Sequence, residues 1–324
     1  MEFHLIESIR ARTASQRDDV ALGIGDDAAL LDVPAGRKLV ACADSMVEGV
    51  HFLHGTAPED LGWKSLAVNL SDIAAMGAEP AWALLALTLP DADAGFVERF
   101  ADGFSALARL HDVALVGGDT TQGPLSITVT ALGFVPDGAA LTRGGARAGD
   151  AVFVTGTLGD AAGTLKGLRD RGPGTGDQTA PDARSLMARL HRPEPRIAAG
   201  LALRGLANAC IDVSDGLLAD LGHVCDASGV GAEIEIEALP LSSALAATFD
   251  EAARRQFALA GGDDYELCFT VPASSAREVA AIAAALGLRM TRIGRIVADT
   301  GVRVLGADGV IVETPHAGWE HFTQ

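Results

Sequence analysis

Residues 210 to 221 read CIDVSDGLLADL, an apolar run that meets Asp212, Ser214, Asp215 and Gly216 and then continues through Leu217, Leu218, Leu221 and Val224. A short apolar run before small residues suits a buried strand, and the 3–4 spacing that follows suits the inward face of a helix. The stretch therefore reads as a strand-to-helix turn with carboxylates at its corner. An Asp at such a place commonly caps the helix by accepting its free amides, and Asp215 alone calls for nothing more.

Five further acidic islands change that. GIGDDAALL (23–31), ADSMVEGVHF (43–52), NLSDIAAMG (69–77), VGGDTTQGP (116–124) and AGGDDYEL (260–267) each begin where an apolar run meets small residues. Each Asp is expected at a strand end or a helix start. Six caps are harder to explain than one. Ser71-Asp72 precedes Gly117-Gly118-Asp119 with an Asp-to-Asp spacing of 47 positions, and Ser214-Asp215 precedes Gly261-Gly262-Asp263 with one of 48, as two related half-structures would give.

Around the islands the chain alternates. Strands are expected near 28–33, 38–44, 82–89, 113–116 and 125–135, with helices near 58–76 and 94–111 and a short amphipathic helix at Phe3, Leu5, Ile6 and Ile9. In the second long helix Phe96, Val97, Phe100, Phe104, Leu107 and Leu110 recur at helical spacing. This order suits an α+β unit with helices on one face of a sheet. The small-residue stretch 144–150 marks the boundary, giving domains 1–143 and 144–324. The second part has strands near 151–155, 209–213, 232–236, 265–270 and 289–296, a final hairpin at 306–309, and helices near 158–169, 184–190, 196–207, 217–227 and 276–286. The glycine-rich segment 171–177 follows a helix and carries no lysine, so it reads as a surface loop.

With 324 residues, 48% of them hydrophobic, the chain exceeds one typical core, which supports two domains. No run of about 18 apolar residues occurs, and the N-terminus lacks the cationic and apolar regions of a secretory signal. Cys42, Cys210, Cys225 and Cys268 form no CxxC pair, and all four read as reduced core residues of a cytoplasmic protein. A formal charge of −18, from 43 acids against 25 bases, argues against nucleic-acid and anionic-membrane partners.

Converging carboxylates repel. At about 5 Å and an effective dielectric of ~20, two of them oppose each other by roughly 3 kcal/mol, so a cluster protonates or holds cations. Oxygen donors without His or Cys spacing suit a hard ion such as Mg²⁺, shared with substrate phosphates. Flanking glycines let backbone amides approach phosphate. Together these point to a Mg-nucleotide site. Walker A, HRD, DFG and GxSxG patterns are all absent, so common NTPase, kinase and hydrolase machinery is not expected.

In order, GIGDDAALL, NLSDIAAMGAEPAW, VGGDTTQGPLSITV, ALTRGGARAGD, VTGTLGDAAGTL, IDVSDGLLADLGH and GGDDYELCFTVP resemble the thiamine-monophosphate kinase family. That family shares a superfamily with aminoimidazole-ribotide synthetase and selenophosphate synthetase. The resemblance covers nearly the full length apart from the 171–181 loop. It implies an N-terminal sheet domain that dimerises and a C-terminal α/β domain of the aminoimidazole-ribotide synthetase type. It also implies ATP-dependent phosphorylation of thiamine monophosphate to thiamine diphosphate by direct in-line transfer, with several Mg²⁺ ions and a homodimer.

Position by position, the resemblance assigns metal ligation to Asp27, Asp44, Asp72, Asp119, Asp212 and Asp215, with Asp26 orienting its loop. ATP contacts fall to Gly118, Asp119, Arg143 and Ser214, and acceptor contacts to His51, Asp263 and Trp319. No residue is assigned as a general base. Two departures stand out: Cys42 and Ala43 replace hydroxyl residues common in the family before Asp44, and Asp263 replaces a common, longer Glu. Two alternatives remain open, another ATP-using enzyme of the superfamily with a different acceptor and a non-catalytic Mg-nucleotide binding protein.

Overall fold

The computed structural model of the chain describes residues 2–15, 17–171 and 181–314. Trp319 and residues 172–180 of the glycine-rich loop lie outside them. Two compact units result, one of Met1–Ile73 and Ala78–Ala140, the other of Ala74–Gly77 and Leu141–Gln324.

The first unit runs α1 (Glu2–Arg12), β1 (Val20–Leu22), β2 (Leu30–Leu31), β3 (Arg37–Val47), α2 (Pro58–Ala75), β4 (Glu79–Leu89), α3 (Ala94–Leu110), β5 (Ala114–Gln122) and β6 (Ser126–Pro136). Its main sheet has the order β3-β6-β4-β5. The β4–β5 pair is parallel and the others antiparallel. Helix α3 begins where Asp93 accepts the Phe96 amide at 3.1 Å, a local cap that fixes its start. Val97, Phe100, Phe104 and Leu107 are buried along its stripe, whereas Leu110 is 69% exposed, one turn beyond the end of the core face.

Helices α2 and α3 touch at backbone distance. A Cβ on Gly103 would lie 1.8 Å from the Glu59 carbonyl oxygen, and one on Gly62 would lie 2.0 Å from that of Phe100. Both glycines are needed because the facing atoms are backbone and cannot swing away.

Strand register decides where the acids point. Asp44 pairs with Val129, Val129 with Leu85 and Leu85 with Gly118, so these four share a row and a face. Val129 and Leu85 in that row are buried. Ser45, Thr128, Ala86 and Asp119 form the next row on the opposite face, where Ser45, Ala86 and Asp119 are exposed. One extra residue on β5, opposite Ala83/Leu84, sets this phase.

The second unit runs β7 (Ala151–Thr155), α4 (Asp160–Arg171), α5 (Pro181–His191), α6 (Ile197–Leu203), β8 (Ala209–Val213), α7 (Leu217–Ser228), β9 (Gly231–Glu235), α8 (Ser243–Thr248), α9 (Glu251–Ala260), β10 (Glu266–Val271), α10 (Ala276–Leu286), β11 (Met290–Val297) and β12 (Gly301–Leu305). The sheet order is β12-β9-β11-β7-β10-β8. Strand β8 is buried throughout, and Leu217, Leu221 and Val224 of α7 join Ile211 and Val154 in one core. The expected final hairpin forms as a short one: Gly306 N–H donates to Val310 O and Val312 N–H to Val304 O, both at 2.9 Å, with Leu305 bridged antiparallel to Ile311. It follows β12, which pairs in parallel with β9. Among the described residues no helix is long and apolar enough to cross a membrane.

Substituting Gly103→Ala is expected to lower the unfolding free energy by about 3 kcal/mol in urea titration, at the top of the range for overpacking. A loss under about 0.5 kcal/mol would show that the helices separate freely.

Candidate functional site

In the first unit the structure brings Asp44 and Asp72 to one thiol. Burial, then the charges of Asp72 and Asp44, push the Cys42 thiol well above its usual range, and Asp72 also bonds to it. Asp44 is not at a strand end but inside β3, and Asp72 is not at a helix start but in the last turn of α2. Asn69, fully buried, fastens the two elements. Its Oδ1 accepts the Asp44 amide at 3.1 Å, its Nδ2 donates to Ser65 O at 3.0 Å, and the Cys42 thiol donates to its carbonyl at 3.4 Å. Sequence reasoning passed over Asn69. The signal was an amide in the apolar run of a helix, where Asn is disfavoured without a specific partner.

The other first-unit acids stand apart from this pair. Asp119 lies inside β5, beyond the expected strand end. It leaves the opposite face of the sheet from Asp44, three strand spacings or about 14 Å across. Gly118 has φ +151°, and a Cβ there would lie 1.8 Å from the Leu85 carbonyl oxygen, so only glycine fits. Asp26 and Asp27 sit exposed between β1 and β2, where Asp26 Oδ1 accepts the Asp27 amide at 2.8 Å and so orients that loop. His51 follows β3, and its Nδ1 accepts the Val47 amide at 2.9 Å. That bond leaves the ring proton of the neutral form on Nε2.

In the second unit the opening motif forms the turn it suggests. Asp212 is buried near the end of β8, Ser214 and Asp215 are half-buried, and Gly216 (φ +118°) precedes α7. Asp220, 2% exposed, was not singled out from sequence, although an acid in the first turn of a helix is a recognisable signal. Its Oδ2 accepts the amides of Ser214, Asp215 and Gly216, each at 3.1 Å. Burial first, then the charges of Asp212 and Asp215, raise its pKa to about 7 against the pull of the backbone bonds.

Asp263 lies against this turn. Its amide donates to Ser214 O and that of Tyr265 to Val213 O, both at 2.8 Å. Asp263 (φ 69°) and Tyr265 (φ 51°) both adopt left-handed backbone, a strained state that packing must hold. The Tyr265 hydroxyl donates to Asp263 Oδ1 at 2.8 Å. Arg143 is exposed. The backbone after it is clamped by Ser228, whose Oγ accepts the amides of Gly145 and Ala146 at 3.1 Å.

Among the described residues no three His, Cys, Asp or Glu side chains are grouped to hold a metal ion. The carboxylates instead come as two small sets, Asp44 with Asp72 and Asp212 with Asp215. Such sets fit a Mg²⁺ ion that takes one or two protein carboxylates and completes its shell from water and phosphate. They do not fit an all-protein cage.

Comparison with known proteins places residues 25–135 in the family described as AIR synthase related protein, N-terminal domain, and residues 147–306 in its C-terminal domain counterpart. Thiamine-monophosphate kinase of Escherichia coli (strain K12) is 48% identical over 321 residues, covering 99% of this chain and 98% of that one. The crystal structure of thiamine-monophosphate kinase from Stenotrophomonas maltophilia K279a is 53% identical with a TM-score of 0.88, covering 95% of this chain and 96% of that one. The structure of AaThiL complexed with AMPPCP and TMP is 37% identical with a TM-score of 0.78, covering 99% and 97%.

Asp220 carries a stability signature. Between about pH 4 and 7 the folded protein holds a proton there that the unfolded chain releases. The native state then binds more protons, so this group's contribution makes stability fall as pH rises through that window. Urea unfolding of the metal-free protein is expected to show a shallower decline in Asp220→Asn than in wild type. Equal slopes would contradict the assignment.

Proposed function

The chain belongs to the thiamine-monophosphate kinase family of AIR synthase related proteins, and we infer from that membership and from its carboxylate sets that it uses ATP to phosphorylate thiamine monophosphate, giving thiamine diphosphate. One observation carries the reading. Similarity to a kinase of this name spans 99% of the chain at 48% identity, so both carboxylate-bearing units are included. The bound pair AMPPCP and TMP in AaThiL supports the same two substrates here.

The mechanism follows from charge. The acceptor is a phosphate whose second pKa is about 6, so it is already a nucleophile at pH 7 and requires no general base. Asp27, Asp44, Asp72, Asp119, Asp212 and Asp215 are the residues we assign to hold Mg²⁺. When bound, Mg²⁺ supplies the positive charge that offsets repulsion between the two phosphates. Gly118, Asp119, Arg143 and Ser214 position ATP, Gly118 by allowing close backbone approach. His51, with its proton on Nε2, is a donor to the acceptor's oxygens. Asp263, oriented by Tyr265, binds the acceptor, and Trp319 offers a flat face for a thiamine ring. Asp263 is a methylene shorter than Glu, and its contact runs through water. The γ-phosphoryl group passes directly and in line, with alignment providing most of the rate.

We also propose a homodimer formed through the open sheet face of the first unit. Leu39, Val47 and Leu84 are exposed there, beside Ala41, Ala43 and Ala86, an apolar surface of the kind that associates. We also propose a cytoplasmic location, which the free thiols of Cys42, Cys210, Cys225 and Cys268 support.

Purified protein with ATP, Mg²⁺ and thiamine monophosphate is expected to form thiamine diphosphate, and EDTA to stop it. Asp72→Asn and Asp215→Asn should each lower kcat by at least about 100-fold with unchanged circular dichroism. Near-wild-type turnover in both would overturn the metal assignment. Metal-dependent ATP binding without product would point to another acceptor.

A further inference from the structure

Three consecutive amides point at a single oxygen. Those of Ser214, Asp215 and Gly216 each lie 3.1 Å from Asp220 Oδ2. Successive N–H groups converging at the head of a helix make the concave anion site that phosphate-binding loops use. Helix α7 is 12 residues long, and its head would serve a phosphate well. Here the chain's own carboxylate fills the place, on the fourth residue of that helix and 2% exposed.

The far side of the turn is fastened as firmly. Asp263 and Tyr265 amides donate to the Ser214 and Val213 carbonyls at 2.8 Å. A Cβ on Gly262 would lie 2.5 Å from Ser214 O, and one on Gly216 would lie 2.9 to 3.1 Å from the Ala260 backbone. Backbone atoms thus bound the turn on one side and a buried carboxylate on the other. Its amides are withdrawn from any phosphate, so Ser214 can reach a nucleotide only through its hydroxyl. Asp212 and Asp215 project from a segment with little freedom to rotate.

We propose that Asp220 is a positioning residue: it occupies the anion nest at the head of α7, converting a phosphate-type turn into one that presents Asp215 and the Ser214 hydroxyl to a divalent cation and to ATP. The proposal rests on the kinase reading of the site and adds a residue to it. A plain helix cap would affect stability alone. A positioning residue affects ion binding and turnover beyond any change in stability.

The test uses the full chain with Asp220→Ala and Asp220→Asn. Mn²⁺ uptake in the presence of AMPPCP is read from the free-ion paramagnetic resonance signal, alongside kcat, KM for ATP and the metal-free Tm. Asp220→Ala is expected to weaken Mn²⁺ binding about tenfold and lower kcat about 100-fold, with KM for ATP within about threefold. Asp220→Asn, whose amide oxygen still accepts the three bonds, is expected to stay within about tenfold of wild type in kcat and about threefold in Mn²⁺ affinity.

Folded Asp220→Ala with wild-type Mn²⁺ binding overturns the proposal, as does Asp220→Asn as impaired as the alanine variant. Should the alanine variant fail to fold, the asparagine result decides by itself. If wild type makes no thiamine diphosphate, the kinase reading fails, and the Mn²⁺ comparison still decides what Asp220 does.

Discussion

Like charges held together by stiff backbone are the constraint on which this structure depends. Burial, and then the charges of Asp212 and Asp215, raise the Asp220 pKa to about 7. A flexible turn would let them part. This one cannot, because hydrogen bonds to Asp220 and to the Asp263–Tyr265 backbone fix it from two sides. The first unit applies the same device with different parts. Asn69 ties β3 to α2 and so keeps Asp44 and Asp72 beside Cys42. In both units the cost of gathering carboxylates is met by backbone order, and charge gathered in this way suits a hard cation.

The parts legible in the sequence were the local ones. The turn at 213–216 and the stripe Val97, Phe100, Phe104 and Leu107 depend on spacing within one element, and each formed where its pattern indicated. What escaped depends on partners distant in sequence. Asp119 was expected past a strand end, yet β5 runs on through Gly117-Gly118-Asp119 because Leu84–Ala86 pair with it. Asp44 and Asp119 fall on opposite faces through a register set by one extra residue, which no single-strand pattern reveals. Asp72 ends a helix rather than starting one, since α2 meets no Gly or Pro between Gly62 and Gly77. Helices α8 and α9 carry caps at Ser242 and Asp250, yet each is too short for its periodicity to stand out in the sequence.

Carboxylates at a phosphoryl-transfer site have two possible uses. An aspartate can attack the γ-phosphorus and carry it as an acyl phosphate, or it can hold the ions that let two anions meet. Asp44 with Asp72, and Asp212 with Asp215, are held close by ordered backbone, an arrangement that suits shared charge. A lone nucleophile is better served by an activating neighbour. The acceptor phosphate needs no such help.

The stereochemical course at phosphorus separates these uses directly. With ATP made chiral at the γ-position by isotopic oxygen and sulfur, a single in-line transfer to thiamine monophosphate inverts the configuration. Inversion is the result this account requires. Retention would mean two successive displacements through a phosphorylated side chain, and would contradict the role given to every aspartate in the site.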